Sequence, residues 1–243
     1  VEISQGGISQ VMRRAGRKAQ GKLAPIEQAM QSSEVVYSDE TSSRVDGQTW
    51  WQWVFGSTQA VLHMIRFDRS VDVIQEVMGD QVAEVWVSDC WPPQMKAPAL
   101  QHQLCLAHQL RNLQSVRERY PTASWASRMQ SLFRYAVHLH HERSGLSTEY
   151  YNRQVHRLES LLDQLLQRQL EQPEGQRLQR RYQKYRDAVF LFLHRTDVSP
   201  TNNVSEQYLR PAVIHRKVMG GFRSSWDAYT YAALKSLLDT APL

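Results

Sequence analysis

An Asp-Gly dipeptide at positions 46–47 is the local feature that most restricts how this sequence can fold. It lies between two runs typical of β-strands: residues 34–39 (EVVYSD) are β-branched and aromatic, and residues 49–57 (TWWQWVFGS) alternate between two faces. Asp-Gly is a preferred two-residue turn of β-hairpins. The pattern therefore predicts an antiparallel hairpin, and a third run at 60–67 (AVLHMIRF) extends it to a three-stranded meander.

A helix and a fourth strand are predicted after the meander. Residues 69–79 (RSVDVIQEVMG) carry apolar side chains on one helical face and end on a glycine, which commonly terminates helices. Residues 83–89 (AEVWVSD) form a compact apolar run. Because this run follows a helical crossover, we expect a strand that lies beside the first strand and parallel to it.

Two of these predicted strands end on an aspartate, Asp39 and Asp89. The ends of neighbouring parallel strands lie roughly 5 Å apart, so both side chains are expected at one edge of the sheet. The turn-forming residues 199–203 (SPTNN) predict the start of a helix that carries Glu206 in its first turns. Three carboxylates this close repel each other, and hard oxygen ligands of this kind select Mg²⁺ or Mn²⁺. The sequence therefore predicts a catalytic site that binds two divalent ions.

The remaining sequence predicts an α/β fold, a mixed sheet with a large all-helical insertion before the last acidic helix. No strand-like run is apparent in residues 103–195, where leucines recur at helical spacing. The leucine stripe at 158–166 fits the inner face of a helical hairpin better than a dimer interface. We expect four segments. A helical lead-in (1–31) is followed by the first part of the core (32–102), the helical insertion (103–196) and the last part of the core (197–243).

Four motifs resemble the DDE transposases of the insertion-sequence 66 family. They are SDETSSRVDGQTWWQWVF (38–55), VWVSDCW (85–91), CLAHQLRNL (105–113) and PTNNVSEQYLRPAVIHRKVMGGFRS (200–224). The resemblance implies a ribonuclease H-like core, interrupted by a helical insertion before the glutamate. It assigns the family's acidic triad to Asp39, Asp89 and Glu206. Residues 89–98 (DCWPPQMKAP) depart from the glycine and aromatic residues expected of the family there.

The resemblance also implies DNA cleavage and strand transfer at the ends of a bacterial insertion sequence. Two other classes remain open: a non-catalytic DNA-binding relic, and a Mg²⁺-dependent nuclease without strand transfer. Transposition joins two DNA ends, so a homo-oligomer on double-stranded DNA is expected. The first residue is Val1, which suggests a fragment of a longer protein. Two cysteines favour a reduced, cytoplasmic setting, and the lack of a long apolar run argues against a membrane partner. Association with the bacterial nucleoid is what the resemblance implies.

Positive charge supports a polyanionic partner. The net charge is +5, and two basic runs, at 13–22 and 177–186, contain no acidic residue. In a DNA-processing protein, such side chains would contact phosphates. The predicted DNA contacts are Arg13, Arg14, His108, Arg180, Arg181, Arg210, Arg216, Lys217 and Arg223.

Several residues allow two interpretations. Glu40 is either a partner of the triad or an exposed turn residue, and we place it, with Asn203, beside the triad. The tryptophans at 50, 51 and 53 fit packing better than base stacking. Cys105 and His108 have the spacing of zinc ligands, but too few further ligands are apparent for a closed site. Cys105 therefore fits a helix core, and His108 a contact to DNA or to a carboxylate.

Overall fold

The structure, a computed structural model, describes residues 4–122 and 124–243. Its α-helices are α1 (Gln5–Gln20), α2 (Ala24–Gln31), α3 (Val71–Met78), α4 (Leu106–Arg119), α5 (Ser124–His141), α6 (Thr148–Leu166), α7 (Pro173–Lys184), α8 (Leu191–His194), α9 (Asn203–Met219) and α10 (Ser225–Thr240). Its strands are β1 (Val35–Val45), β2 (Gln48–Gly56), β3 (Val61–Arg66), β4 (Ala83–Ser88) and β5 (Ala99–Leu104).

The chain divides into two compact units. The first, here called the sheet unit, contains residues 1–101 and 202–243. The second, the helical unit, contains residues 102–201, and the chain passes from one to the other within β5. None of the helices in the described part of the chain is both long and apolar enough to cross a bilayer.

The five strands form one mixed sheet in the order β3-β2-β1-β4-β5. β1 and β3 both pair antiparallel with β2, and β4 pairs parallel with β1. The predicted meander and the parallel fourth strand are thus confirmed. So is the hairpin turn: Asp46 and Gly47 both have positive φ, 48° and 74°, as a tight hairpin between twisted strands requires.

The first strand is longer than its sequence predicts. We expected it to end on Asp39, but β1 continues to Val45 because β2 pairs with it from Tyr37 to Val45. Only the pairing with β4 stops early, at Tyr37 opposite Val87. Asp39 therefore lies inside a strand, just beyond the point where one of its two neighbours has ended.

One face of the sheet carries the main hydrophobic core. The rings of Trp53 and Phe55 are fully buried and parallel, with centroids 6.0 Å apart. They pack with Met30 of α2 and with Ile74 and Met78 of α3. Packing is therefore the role of Trp53, as expected for alternating aromatic residues in a strand.

The other face of the sheet carries α9 and α10. Val54 of β2 packs with Leu209 of α9, and the backbone N–H of His63 in β3 donates to Ser236 Oγ of α10 at 2.8 Å. After α9 the chain turns through two glycines with positive φ. A Cβ at Gly221 would lie 2.4 Å from the carbonyl oxygen of Arg44, so only glycine allows this close return to β1.

The helical unit has its own core. Trp125 Nε1 donates to the carbonyl of Leu165 at 2.9 Å, and Phe133 packs edge-on against Tyr182 and Phe190. Most of the leucine stripe of α6 is buried, as expected for an inner face, although Leu161 is 39% exposed. One prediction is wrong here: residues 103 and 104 belong to β5, so α4 begins only at Leu106.

Candidate metal centre

Asp39 and Asp89 lie at matching positions of two parallel strands. The register pairs Val35 with Val85 and Tyr37 with Val87. The same register, continued two residues further, brings Asp39 level with Asp89. Side chains two residues apart point to the same face of a strand. Asp39 and Asp89 each follow a member of the Tyr37–Val87 pair by two residues, so both carboxylates are expected on the same face of the sheet.

The electrostatic environment of Asp39 shows that three predicted carboxylates interact. Burial, and then the negative charges of Glu40, Asp89 and Glu206, raise the pKa of Asp39 to about 8. One hydrogen bond opposes this, from the Glu40 backbone N–H to Asp39 Oδ1 at 2.9 Å. Without a compensating cation, the Asp39 carboxyl group therefore holds a proton at neutral pH.

Glu206 reaches this region from the first turn of α9. The start of that helix is attached to β1 by the fully buried Asn202, whose Nδ2 donates to the carbonyl of Ser38 at 2.7 Å. Ser205 Oγ donates to Asn202 Oδ1 at 2.6 Å. The helix therefore begins beside the residue that precedes Asp39, which places the half-buried Glu206 near the two aspartates.

The asparagine beside the triad is not the one chosen from sequence. We placed Asn203 there, but Asn203 is exposed at the first position of α9. Asn202, one residue earlier, occupies the buried position and bonds to β1. The reason is the phase of the helix: a shift of one residue at its start rotates a side chain by about 100°.

Asp89 is presented by a tight turn directly after β4. The next residue, Cys90, has a φ of 77°, which is uncommon for a residue with a side chain. This conformation lets the backbone N–H of Trp91 donate to Asp89 Oδ1 at 2.8 Å. Such outliers persist only where the surrounding structure enforces them, and they concentrate at functional sites.

Glu40 lies on the opposite face of β1 from Asp39 and is not an exposed turn residue. Its side chain is 1% exposed. Arg69 donates to Glu40 Oε1 from Nε at 2.9 Å and from Nη2 at 2.6 Å, and Gln94 Nε2 donates to Oε2 at 2.7 Å. The pKa of Glu40 lies above its ordinary value, because the effects of burial and of the charge of Asp89 exceed the opposing effect of the bonds from Arg69 and Gln94.

The predicted DNA contacts are scattered over both units. Arg216 is already engaged, because its Nη1 donates to the carbonyl of Ser42 at 2.5 Å and to Thr41 Oγ1 at 3.2 Å, which fastens α9 to β1. Arg13 stacks on the Trp226 ring at 4.6 Å. In the sheet unit, the exposed members of the set are Arg13, Arg14, Arg210, Lys217 and Arg223. In the helical unit are the exposed Arg180 and the half-buried His108 and Arg181.

The donor set fits a hard divalent cation. Asp39, Asp89 and Glu206 offer only carboxylate oxygens, which suit Mg²⁺ and Mn²⁺. A cation at these oxygens would also remove the mutual repulsion that raises the pKa of Asp39. Cys105 is fully buried at the start of α4 in the helical unit, in keeping with a core residue.

Sequence reasoning missed three polar residues that bond to the residues of β1 on either side of Asp39: Arg69, Gln94 and Asn202. Each bonds to β1 across a long stretch of chain, so no local pattern marks them. The only signal was indirect: Gln94 lies in the segment that departs from the sequence expected of the family.

Comparison with known proteins agrees with the motifs. The family model described as the transposase IS66 family matches residues 1–230 of the 243-residue chain. No curated protein matches the chain. Since the matched region includes nearly the whole sequence, this chain belongs to the transposase IS66 family.

Proposed function

We propose that this chain carries the catalytic domain of a DDE transposase, which cuts DNA at the ends of an insertion sequence and transfers the freed strands to a target. One observation carries the proposal: Asp39 lies level with Asp89 in the continued β1–β4 register, and both Asp89 and Glu206 act on its pKa. We further propose that the sheet unit is a ribonuclease H-like core and that residues 102–201 are the family's helical insertion.

Asp39, Asp89 and Glu206 would hold two Mg²⁺ or Mn²⁺ ions. When bound, such ions activate first water and then a terminal 3′-hydroxyl for in-line attack on a phosphodiester, and stabilise the leaving oxygen. The chain's own part is to position the ligands. Asp39 must release its proton to serve as a ligand, so ion binding is coupled to proton release. Asn202 fixes the helix that brings Glu206 to the sheet.

The exposed basic residues would hold double-stranded DNA. Arg210, Lys217 and Arg223 lie on or just after α9, the helix that carries Glu206. Arginine and lysine contacts to phosphates supply most of the sequence-independent affinity for DNA. Arg216 would act instead through the fold, since it bonds to β1. Two copies of the chain on paired element ends, in the bacterial nucleoid, complete the proposal.

Cleavage of duplex oligonucleotides that carry the element's termini tests this function. Asp39→Asn, Asp89→Asn and Glu206→Gln should each reduce Mg²⁺-dependent cleavage on the order of 10³-fold, because each removes a ligand of the proposed ions. Glu34→Gln, which neutralises an exposed glutamate one residue before β1, should cleave like the unchanged protein. Full cleavage by Asp39→Asn would refute the proposal.

A pre-cleaved end separates a transposase from a nuclease. Such an end already has its 3′-hydroxyl, so a transposase should join it to a target duplex without further cutting. Joined product that disappears in Asp89→Asn supports transposition. Cleavage without any joined product would identify a nuclease, and DNA binding without cleavage in any metal would identify a binding protein.

A further inference from the structure

The position of Asp89 depends on a loop with little regular structure. Residues 89–98 contain only one short 3₁₀ turn, Gln94–Lys96. Yet a shared ion requires a fixed spacing between the oxygens of Asp89 and those of Asp39 on β1. The contacts that attach this loop to β1 should therefore control the site.

Gln94 makes the first attachment. Its side chain is fully buried, and its Oε1 accepts hydrogen bonds from Ser38 Oγ and from Trp86 Nε1, the latter at 3.1 Å. Its Nε2 donates to Glu40 Oε2 at 2.7 Å. A single amide thus binds two residues of β1 and one of β4.

The two β1 partners of Gln94 stand on either side of Asp39. Ser38 and Glu40 point to one face of the strand, and Asp39 points to the other, because successive side chains alternate. The loop that begins with Asp89 is therefore fastened to β1 directly behind Asp39. These contacts lie on the face of β1 opposite Asp39.

Arg69 makes a second attachment to the same loop. Its guanidinium group bonds to Glu40 Oε1 and lies 4.0 Å from the centre of the Trp91 ring and 4.4 Å from that of Trp51. Trp91 is also the residue whose N–H donates to Asp89. Glu40 thus holds the loop at two points, through Gln94 and through Arg69.

These contacts occupy both oxygens of Glu40. Oε1 accepts two hydrogen bonds from Arg69, and Oε2 accepts one from Gln94. The side chain also lies on the face opposite Asp39. Glu40 therefore suits a positioning role rather than that of an ion ligand, although it directly follows Asp39 in the sequence.

We propose that Gln94 and Arg69, joined through Glu40, are positioning residues that set the spacing between Asp39 and Asp89 and thereby the affinity of the site for divalent cations. This inference rests on the proposed function. Gln94 lies in the segment that departs from the family pattern, and the inference assigns it and Arg69 a task that none of the triad residues performs.

The contacts of Gln94 and Arg69 with β1 are here called the clamp. Titration of the full chain with Mn²⁺ tests the clamp without any DNA. Gln94→Met keeps the size of the side chain but removes all its hydrogen bonds to β1. Loss of contacts that orient metal ligands typically weakens metal binding about 10–100-fold. We expect the Mn²⁺ dissociation constant to rise at least about 10-fold, and the Mg²⁺ concentration for half-maximal cleavage to rise in parallel.

A reciprocal exchange provides a rescue. In Glu40→Gln, the new amide N–H group would face Gln94 Nε2, which is also a donor, so this hydrogen bond is lost. Mn²⁺ binding should therefore weaken. In the double variant Glu40→Gln with Gln94→Glu, the hydrogen bond forms in the reverse direction, from the amide of residue 40 to one carboxylate oxygen of residue 94. The other oxygen of residue 94 can still accept from Ser38 and Trp86, and the amide oxygen of residue 40 can still accept from Arg69. The double variant should therefore bind Mn²⁺ more tightly than Glu40→Gln alone.

Gln179→Met is the matched control. Gln179 is also buried, and its Nε2 donates to the carbonyls of Leu166 and Arg168 in the helical unit. This variant should lower the melting temperature and leave the Mn²⁺ dissociation constant unchanged. All variants are compared at a temperature at which circular dichroism shows them folded.

The outcomes separate this inference from the proposed function. Mn²⁺ affinity that is unaffected by Gln94→Met, or a double variant no better than Glu40→Gln, would overturn the clamp alone. Failure of the unchanged protein to bind Mn²⁺, or equal binding by Asp39→Asn, would overturn the proposed function and the clamp with it.

Discussion

Neighbouring carboxylates on the two faces of β1 differ in how far their negative charge is compensated. On one face, burial and the charge of Asp89 raise the pKa of Glu40, but hydrogen bonds from Arg69 and Gln94 oppose this rise. On the other face, burial and the negative charges of neighbouring carboxylates raise the pKa of Asp39 to about 8. Glu40 thus has a cationic partner within the fold, whereas the rise in the pKa of Asp39 is opposed by one backbone hydrogen bond and would be relieved by a bound cation. This difference supports the proposed ion site at Asp39.

Removal of Glu40 should cause the largest loss of stability. In Glu40→Leu, the Arg69 guanidinium and the Gln94 amide lose their acceptor. Because the Arg69 side chain is 34% exposed, the cost lies at the low end of that for buried pairs, about 3 kcal/mol. Urea denaturation should show this decrease in the free energy of unfolding. Glu34→Leu, at an exposed position just before β1, should change it by less than about 0.5 kcal/mol.

Asp39→Asn should instead increase the free energy of unfolding when no metal is bound. The folded-state pKa of Asp39 lies above its ordinary value of 3.8, so the native state binds the proton more tightly than the unfolded state. The carboxyl group therefore destabilises the fold increasingly as the pH rises from 4 to 8. With allowance for its partial exposure, the variant should gain about 3 kcal/mol at pH 8.

The gain in the free energy of unfolding of Asp39→Asn should shrink towards pH 5 and level off above pH 8. Urea denaturation in EDTA at three pH values measures it. A gain that grows towards acid pH, or a loss at pH 8, would contradict the environment described for Asp39.

Added Mn²⁺ should cancel much of the difference between Asp39→Asn and the unchanged protein. At 100 times its dissociation constant, a ligand that binds only the folded state stabilises it by about 2.7 kcal/mol. The unchanged protein should gain this amount, and the variant, which lacks one ligand, should gain much less. Thermal unfolding with and without Mn²⁺ measures both gains, and equal gains would show that Asp39 is not a ligand.

Arg69→Lys should have the smallest effect. Lysine keeps the charge beside Glu40 but loses the paired hydrogen bonds and the planar stacking between Trp51 and Trp91. We expect a loss of about 1 kcal/mol in the free energy of unfolding. A loss as large as that of Glu40→Leu would mean that the stacking, and not the carboxylate, dominates the clamp.

Local patterns were enough to predict the strands that position Asp39 and Asp89. The alternation of residues 49–57, the Asp-Gly turn and the glycine after α3 each depend on neighbours in sequence, and all three predictions are confirmed. The parallel pairing of β4 with β1 followed from the crossover rule. The positions of the two aspartates, one in β1 and one directly after β4, are therefore predictable from local patterns and the crossover rule.

The polar residues that bond to β1 beside Asp39 could not be predicted from local patterns. Gln94 bonds to Glu40 across 54 residues, and Asn202 bonds to Ser38 across 164, distances at which sequence periodicity carries no information. β5 was missed for a related reason. Its sequence, ALQHQL, exposes Leu100 and has no alternating apolar face, so its strand conformation depends on its place in the sheet.

A crystal of the full chain soaked in Mn²⁺ would test the central claim most directly. Mn²⁺ scatters anomalously, so its position can be read independently of the protein. The account predicts anomalous density within about 2.0–2.3 Å of carboxylate oxygens of both Asp39 and Asp89, with none at Glu40. Density at neither aspartate, or density bound to Glu40 instead, would contradict it.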